Sequence, residues 1–505
     1  MLRTFSLCCL LALAGCVSVP TDYPREESYR MPLDEESPLG RFAKDWRTGH
    51  PDESGFQALA QGLDGLGARL RALDLAQHSV DAQYFLIKPD EAGELFLGKL
   101  LRAADRGVRV RLLIDDVFTP RRDRALATLS SHPNIEIRLF NPLSRQSPAF
   151  WSLLWDFQRS NRRMHNKSFV VDGSIAIVGG RNIAAEYFEL KDDGNFDDFE
   201  VFATGPIVDE IAESFDEFWN SRLSLPVEAL GRSPEGEKLD LWRKQMAEVV
   251  AGKRDSAYSR ATSSELLDDL FSGRRALIAA PARVVSDRPQ KLKVARGTEE
   301  ELIVGVALAD VVQSAQREIT VITPYFLLQA PGRELLKAKA AEGVRIRVIT
   351  NSLASTNHVP VHAHYRKYRR ELLEAGVELY ELRADRQPGS EDKDRERMTL
   401  HTKAFELDGE TLGLGSVNLD PRSLEINSEL VIFIDSPQLS QRLLSFLESD
   451  LPALTWRLEL NEDNRLRWHY QSGDVEEVRS GEPGASLWRR LQANLYRLLP
   501  IEGQL

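Results

Sequence analysis

The stretch Met164–Asn182, MHNKSFVVDGSIAIVGGRN, decides how this chain is read, and Leu400–Asn418, LHTKAFELDGETLGLGSVN, repeats it 236 positions later. Both follow the pattern H-x-K-x4-D-x6-G-[GS]-x-N, so His165, Lys167, Asp172, Gly179 and Asn182 are matched by His401, Lys403, Asp408, Gly415 and Asn418. Two copies with identical internal spacing mean an internal duplication. A His and a Lys two apart on a strand point to the same face. The strand then runs through SFVV or AFEL into Asp-Gly, and a second strand returns through IAIVGG or TLGLGS, so each copy is predicted to be a β-hairpin. Asp172 and Asp408 fall in the turns, where a carboxylate bonding its own backbone is expected. Gly179, Gly180, Gly415 and Ser416 remove bulk beside each asparagine, leaving room for backbone or a phosphate to approach.

Working outward, the text around each motif also repeats. Gly107-Val-Arg-Val-Arg111 answers Gly343-Val-Arg-Ile-Arg347, Tyr84-Phe85 answers Tyr325-Phe326, and IEIRLF at 135–140 answers VELYEL at 377–382. Strands alternating with helical stretches at this rhythm predict, for each repeat, a mixed α/β sheet covered by helices on both faces, with the motif hairpin added to the sheet. Two such repeats are expected to pack face to face about a pseudo-dyad, with one active site between them built from both motifs.

The paired H-x-K-x4-D motifs resemble the phospholipase D superfamily. The surrounding text (NRRMHNKSFVVDG, VGGRNIAAEYF, TNSLAS, GVELYEL, NLDPRS) is similar to bacterial cardiolipin synthases of the C type, over nearly the whole chain from about residue 60. The resemblance implies two tandem phospholipase D-like domains, phospholipid substrates and a metal-free reaction through a phosphohistidine. It makes His165 the nucleophile and His401 the acid/base, and gives Lys167, Lys403, Asn182 and Asn418 the task of holding the phosphate. It also implies an acidic residue behind each imidazole. Asp198 and Glu429, each eight residues before a proline, take that role.

The expected organisation is a lipoprotein signal peptide at 1–15, a tether at 16–55, the first domain at 56–225, a connector at 226–296, the second domain at 297–455, and a C-terminal hairpin and amphipathic helix at 456–505. Leu13-Ala14-Gly15-Cys16 resembles the lipobox at which bacterial lipoproteins are acylated on cysteine. Val17 in place of Asp favours the outer membrane over the inner, with the body facing the periplasm. Cys8, Cys9 and Cys16 are the only cysteines, so the body holds no thiol for a disulfide, a zinc site or a nucleophile.

A net charge of −12 argues against a general nucleic-acid binder. Neither histidine is expected to ligate a metal, because a Lys on the same face would repel the ion, and activity is expected to survive chelation. With both motifs in one chain a monomer suffices. Tyr84, Tyr325, Asp115 and Asn351 stand at strand ends near the expected cleft. His362 and His364 lie in a basic stretch read as a solvated face. Two segments have the aromatic-plus-basic composition of a bilayer contact. One is Phe150–Phe157, followed by Arg159, Arg162 and Arg163. The other is the C-terminal SLWRRLQANLYRLLP, where Leu487, Leu491, Leu495 and Leu498 form a helical stripe with Arg489, Arg490 and Arg497 off it; packing on the protein's own core is the alternative for both. Three functions remain open on these grounds: a phosphatidyl transferase with phosphatidylglycerol as acceptor, a hydrolase (phospholipase or nuclease) using water, and a lipoprotein that binds lipid without turnover.

Overall fold

The computed structural model describes residues 22–119, 123–145, 156–191, 194–231, 237–251, 257–293, 301–384 and 398–505. The expected signal peptide with Cys16, and the aromatic run from Phe150 to Trp155, lie outside them.

The chain enters through helix α1 (Pro38–Gly49), started by the Ser37 hydroxyl accepting from the Gly40 amide and by Pro38, whose fixed φ suits a first helical turn. From residue 22 onward this corrects the expected tether at 16–55, whose first six residues lie outside the described residues. Leu39 and Ala43 of α1 are buried, and the extended segment before it is tied down. The Ser28 amide donates to Asn220, and buried Arg111 and Arg138 reach the Ser28 and Glu26 carbonyls. Proline spacing concealed a segment whose backbone polar groups are satisfied by the domain it lies on.

The first repeat continues with β1 (Ser54–Leu59), α2 (Gly62–Leu75), β2 (Ser79–Tyr84), α3 (Glu91–Asp105), β3 (Arg109–Asp115), β4 (Ile135–Phe140), the motif hairpin β5 (Ser168–Val171) and β6 (Ile175–Gly179), then β7 (Asn195–Asp197), β8 (Glu200–Thr204), α4 (Ile207–Trp219) and β9 (Ser224–Pro226). The connector holds α5 (Glu237–Ala251), α6 (Ala257–Thr262), α7 (Leu266–Phe271), β10 (Ile278–Ala280) and β11 (Ala282–Ser286). The second repeat runs α8 (Ile303–Ser314), β12 (Glu318–Ile322), α9 (Ala330–Ala341), β13 (Arg345–Asn351), α10 (Val359–Tyr365), β14 (Glu378–Leu382), β15 (Met398–Leu400), the motif hairpin β16 (Ala404–Leu407) and β17 (Thr411–Gly415), β18 (Leu430–Asp435) and α11 (Pro437–Leu454). The chain closes with β19 (Thr455–Leu460), β20 (Leu466–Ser472), β21 (Val475–Arg479) and α12 (Leu487–Tyr496).

The sheets are ordered β10-β1-β8-β6-β5-β2-β3-β4-β9 and β11-β18-β17-β16-β12-β13-β14-β19-β20-β21. The runs β8-β6-β5-β2-β3-β4 and β18-β17-β16-β12-β13-β14 are the same six-strand unit. Parallel pairs joined by helices (β2 with β3, β12 with β13) meet an antiparallel hairpin in each. Alternation along β6 sorts the side chains: Ile175 and Ile177 face the outer core of the first repeat, while Ala176 and Val178 face Leu412, Leu414 and Ile432 of the second. The two repeats therefore share one apolar layer. The connector, unexplained by its composition, has two jobs. Leu239, Ala261 and Leu266 of its helices complete the first core, and its strands cross from one sheet to the other, β10 pairing with β1 and β11 with β18. The hairpin expected near Trp456–Trp468 is three strands that extend the second sheet through β14.

Candidate active site between the two repeats

The catalytic candidates meet where each repeat's motif leans on the other's sheet. The His165 amide donates to the Ser428 carbonyl at 2.9 Å, and the amides of His401 and Thr402 donate to the Asp197 carbonyl at 2.7 and 2.9 Å. In the second case β15 also pairs in parallel with β7. These backbone links lay each imidazole beside the acidic residue of the opposite repeat. His165 Nδ1 is 2.9 Å from Glu429 Oε2, and His401 Nδ1 is 2.5 Å from Asp198 Oδ2.

The electrostatics follow from burial. His165 is pushed below its ordinary range by desolvation, with Glu429 pulling the other way and Lys167 adding to the fall. Desolvation and then Lys403 bring His401 down to about 4, against Asp198. Burial lowers Lys167 to about 7 and Lys403 to about 8. For both carboxylates burial pushes up, but the imidazole partner and nearby lysines outweigh it, and Asp198 and Glu429 stay below their usual range. The consistent state is a neutral imidazole donating its Nδ1 proton to a carboxylate, which fixes the tautomer and leaves Nε2 as the nitrogen available to a substrate. Each lysine Nζ rests on the carbonyl of its own motif histidine, Lys167 on His165 at 2.6 Å and Lys403 on His401 at 2.5 Å.

The motif's other positions serve this pairing. A Cβ on Gly180 would meet Asp198 Oδ1 at 2.2 Å, and one on Gly415 would meet the Leu430 carbonyl at 2.1 Å. Of the two occupants expected, backbone or a phosphate, the Leu430 backbone takes the space beside Gly415, and the Asp198 carboxylate takes the space beside Gly180. Ser416, standing where the first repeat has Gly180, donates to Glu429 Oε2 at 2.5 Å. Asp172 and Asp408 do sit in their turns at φ of 53° and 57°. Their carboxylates, however, accept from amides of another segment: Gln77, His78 and Ser79 for Asp172, and Gln316, Arg317 and Glu318 for Asp408. Each pins the hairpin turn to the start of the neighbouring strand. Asn182 is engaged, its Oδ1 accepting from the Leu86 amide and its Nδ2 donating to the Tyr187 hydroxyl. Asn418 is buried, and its Oδ1 has no hydrogen-bond partner among the described residues.

Asp115 and Asn351, at equivalent ends of β3 and β13, grip the peptide before each histidine. Asp115 Oδ2 accepts from the Met164 amide at 2.9 Å, and the Asn351 side chain brackets Leu400 N and O at 3.0 and 2.9 Å. Tyr84 is instead buried in the outer core, bonded to Arg69. The Tyr325 hydroxyl bonds Asn357. His362 and His364 are buried rather than solvated, His362 beside Arg369 and Glu482 and His364 beside Glu502. Their charged neighbours neutralise one another in the interior, which composition does not reveal.

Sequence reading missed Phe85, which meets His165 edge-on, and Tyr187 and Phe196, which enclose His401. It also missed Asp287 in the connector, whose Oδ2 accepts from the Glu429 amide at 3.1 Å while bonded to Lys291 at 2.7 Å. The i,i+4 spacing of Asp287 and Lys291 was the available signal. The one buried His/Glu cluster among the described residues that has metal-like spacing, His362, Glu381 and Glu482, is filled by the Arg369 guanidinium, 2.6 Å from both glutamates.

Two H-x-K-x4-D hairpins on duplicated sheets, sharing a single set of two imidazoles and two lysines, define a phospholipase D-like enzyme. A family profile described as "Cardiolipin synthase, PLD-like domain" matches residues 70–219 and 308–451, and the chain belongs to that family. It is 38% identical over 464 residues to Cardiolipin synthase C of Escherichia coli (strain K12), covering 90% of this chain and 96% of that one. It is 26% identical over 410 residues to a Cardiolipin synthase of Geobacillus kaustophilus, covering 80% of this chain and 68% of that one. Among solved structures, phosphatidylserine synthase of Haemophilus influenzae Rd KW20 superposes with a TM-score of 0.54 at 15% identity, over 81% of this chain and 90% of that one, a likeness of fold. The protein is a cardiolipin synthase-like member of the phospholipase D superfamily, in keeping with a phospholipid-modifying transferase.

Proposed function

We propose that the protein forms cardiolipin from two phospholipids, with phosphatidylglycerol as acceptor, through a phosphohistidine on His165. The crossed imidazole–carboxylate pairs carry this reading: each repeat supplies the group that holds the other's histidine, so the two rings act on one phosphorus. Lys167 and Lys403 supply positive charge to a bound phosphodiester, and Asn418 supplies a side-chain amide. The bound substrate's negative charge favours the protonated ring, so His401 takes up a proton from solvent as the phosphodiester binds. His165 Nε2 then attacks phosphorus, the bond to the head-group oxygen breaks, and His401 protonates the departing alkoxide. In the second half, neutral His401 takes the proton of the acceptor hydroxyl, its oxygen attacks phosphorus, and the P–N bond to His165 breaks.

Water at about 55 M competes for the phosphohistidine, and a cleft held against a bilayer of glycerol hydroxyls favours transfer by raising the acceptor's effective concentration. The likeness to Cardiolipin synthase C of Escherichia coli over almost its whole length supports the same choice. The leader ending in Cys16 supports a periplasm-facing lipoprotein, in the outer membrane in preference to the inner; Cys16→Ser is expected to abolish fatty-acid labelling and release the body. No helix of the described residues is long and apolar enough to cross a membrane.

The test is product analysis on vesicles containing phosphatidylglycerol. Cardiolipin should dominate, with phosphatidic acid rising as detergent dilutes the acceptor. Phosphatidic acid at every acceptor density would make the protein a phospholipase; cleavage of a nucleic-acid diester alone would make it a nuclease; binding without product would make it a lipid-binding lipoprotein.

A further inference from the structure

Helix α12 presents an uncovered apolar face. Its inner side is packed: Ala493 is buried against Leu353 and Ala363, and Tyr496 lies beside them. Its outer side carries Leu487 at 86% exposure, Trp488 at 64%, Leu491 and Leu495, and just past its end Leu498 at 80% and Leu499. The spacing of Leu487, Leu491, Leu495 and Leu498 sets them in one stripe. Of the arginines off this stripe, Arg489 donates to the Thr356 carbonyl and Arg490 to the carbonyls of Ala485 and Glu482. They anchor the helix to the body and do not point outward as a basic belt.

We infer that α12 is an interfacial helix that inserts its leucine and tryptophan face into the acyl region of a phospholipid bilayer and holds the cleft mouth against the lipid surface. The proposal rests on the lipid-substrate reading and names how that substrate is met. A short chain of contacts joins the helix to the catalytic strand. Arg489 holds Thr356, the neighbouring Ser355 carbonyl accepts from Thr399 at 2.8 Å, and Asn351 brackets Leu400, the residue before His401.

The first repeat also carries exposed aromatics linked to the site or to the C-terminal tail. Phe118 meets Phe85, which covers His165. Phe157 lies four residues before Asn161, whose amide donates to Gln504 in the C-terminal tail. An aromatic with a polar N–H beside leucines suits the boundary between head groups and acyl chains. A second copy of the chain is the weaker occupant. Ten residues of helix measure about 15 Å by 10 Å, well short of the roughly 800 Å² per partner of a stable interface. With Arg489 and Arg490 engaged, Arg497 the one exposed arginine of the three, and a net charge of −12, burial of apolar surface and not attraction to anionic lipid is the driving force.

The experiment follows Trp488 in the full chain, its emission taken as the difference from Trp488→Phe. With neutral phosphatidylcholine vesicles whose acyl chains carry bromine, that emission should be quenched, equally at about 0.05 and about 0.5 M NaCl, because apolar insertion is not screened. Leu491→Ser with Leu495→Ser should weaken the quenching roughly a hundredfold in lipid concentration, while turnover of detergent-dispersed lipid persists. Trp488 emission that vesicles leave unquenched overturns the inference. So does quenching that requires anionic lipid, or a dimer that the double serine variant converts to monomer. Quenching without product would leave the helix assignment standing and strike down the transferase reading instead.

Discussion

His165 and His401 occupy the same position of the same hairpin, yet the two repeats surround them differently. His165 is held by the longer carboxylate, Glu429, which also receives the Ser416 hydroxyl, and among the described residues Phe85 alone is the aromatic ring against it, edge-on. His401 is held by the shorter Asp198 over Gly180, is stacked on Phe196, meets Tyr187 edge-on, and has Lys403 Nζ 3.0 Å from its Nδ1. The asymmetry fits a division of labour. In the mechanism proposed above, the less enclosed ring would form the covalent bond, and the clad ring, brought down to about 4, would exchange protons as the charge of the bound phosphate comes and goes. A duplicated motif supplies equal chemistry, and the packing around it makes the halves unequal.

The largest effects should come from the rings themselves. His165→Ala and His401→Ala are each expected to lower turnover by about 10⁴-fold or more, but only His401→Ala should still accumulate phosphohistidine from a donor with a good leaving group. Label recovered on His401 in the wild-type chain would reverse the division of labour. Exchanging the residue that distinguishes the two supports comes next. Gly180→Ser drives a side chain into Asp198, and about 10²-fold of kcat should be lost through misplacement of His401. Ser416→Gly removes one hydrogen bond to Glu429 and should cost less than tenfold. Equal losses would mean that the two supports are equivalent after all.

The pH profile sharpens the comparison between the lysines. Their folded-state values of about 7 and 8 lie below that of a free lysine, so charge is lost as pH rises through that window, and kcat/KM should fall from pH 7 to 9. A bound phosphodiester favours the charged form, so the alkaline limb of kcat should lie higher than that of kcat/KM. On the acid side, activity should fall once His165 takes up a proton, because its Nε2 must be neutral to attack phosphorus; burial lowers this group and so carries the active range further toward acid. A kcat/KM that stays flat to pH 10 would contradict this account.

The smallest effects belong to the turn aspartates. Asp172→Ala strands three amides at a buried turn and should lower stability by about 2 kcal/mol, whereas Asp408→Ala, at a turn partly open to water, should cost about 1 kcal/mol. Both should leave activity per folded molecule unchanged, as read by Tm and by single-turnover rates.

The six-strand unit was legible because hairpin alternation, Asp-Gly turns and the repeated G-V-R-x-R strands are local signals, each decided within about ten residues. Asp198 and Glu429 were found through the family resemblance and a shared distance to proline, but their partners could not be read from spacing. Helix α1 was hidden by the prolines around it, and the buried ion pairs of His362 and His364 look on paper like a solvated basic face.

By itself the sequence determined that the chain is a duplication, that each half carries a His, a Lys and an Asn on a hairpin, and that no cysteine follows Cys16. Periodicity and turn chemistry suffice for that. Only the tertiary structure decided which carboxylate serves which ring. Glu429 reaches back 264 positions to His165, and His401 reaches back 203 to Asp198. A hydrogen bond a few ångströms long between such distant residues exists only once the two sheets have buried the apolar layer they share. The same packing clad one histidine more heavily than the other and turned the leucines of α12 outward, because whether a side chain is enclosed or exposed depends on what the rest of the fold lays against it.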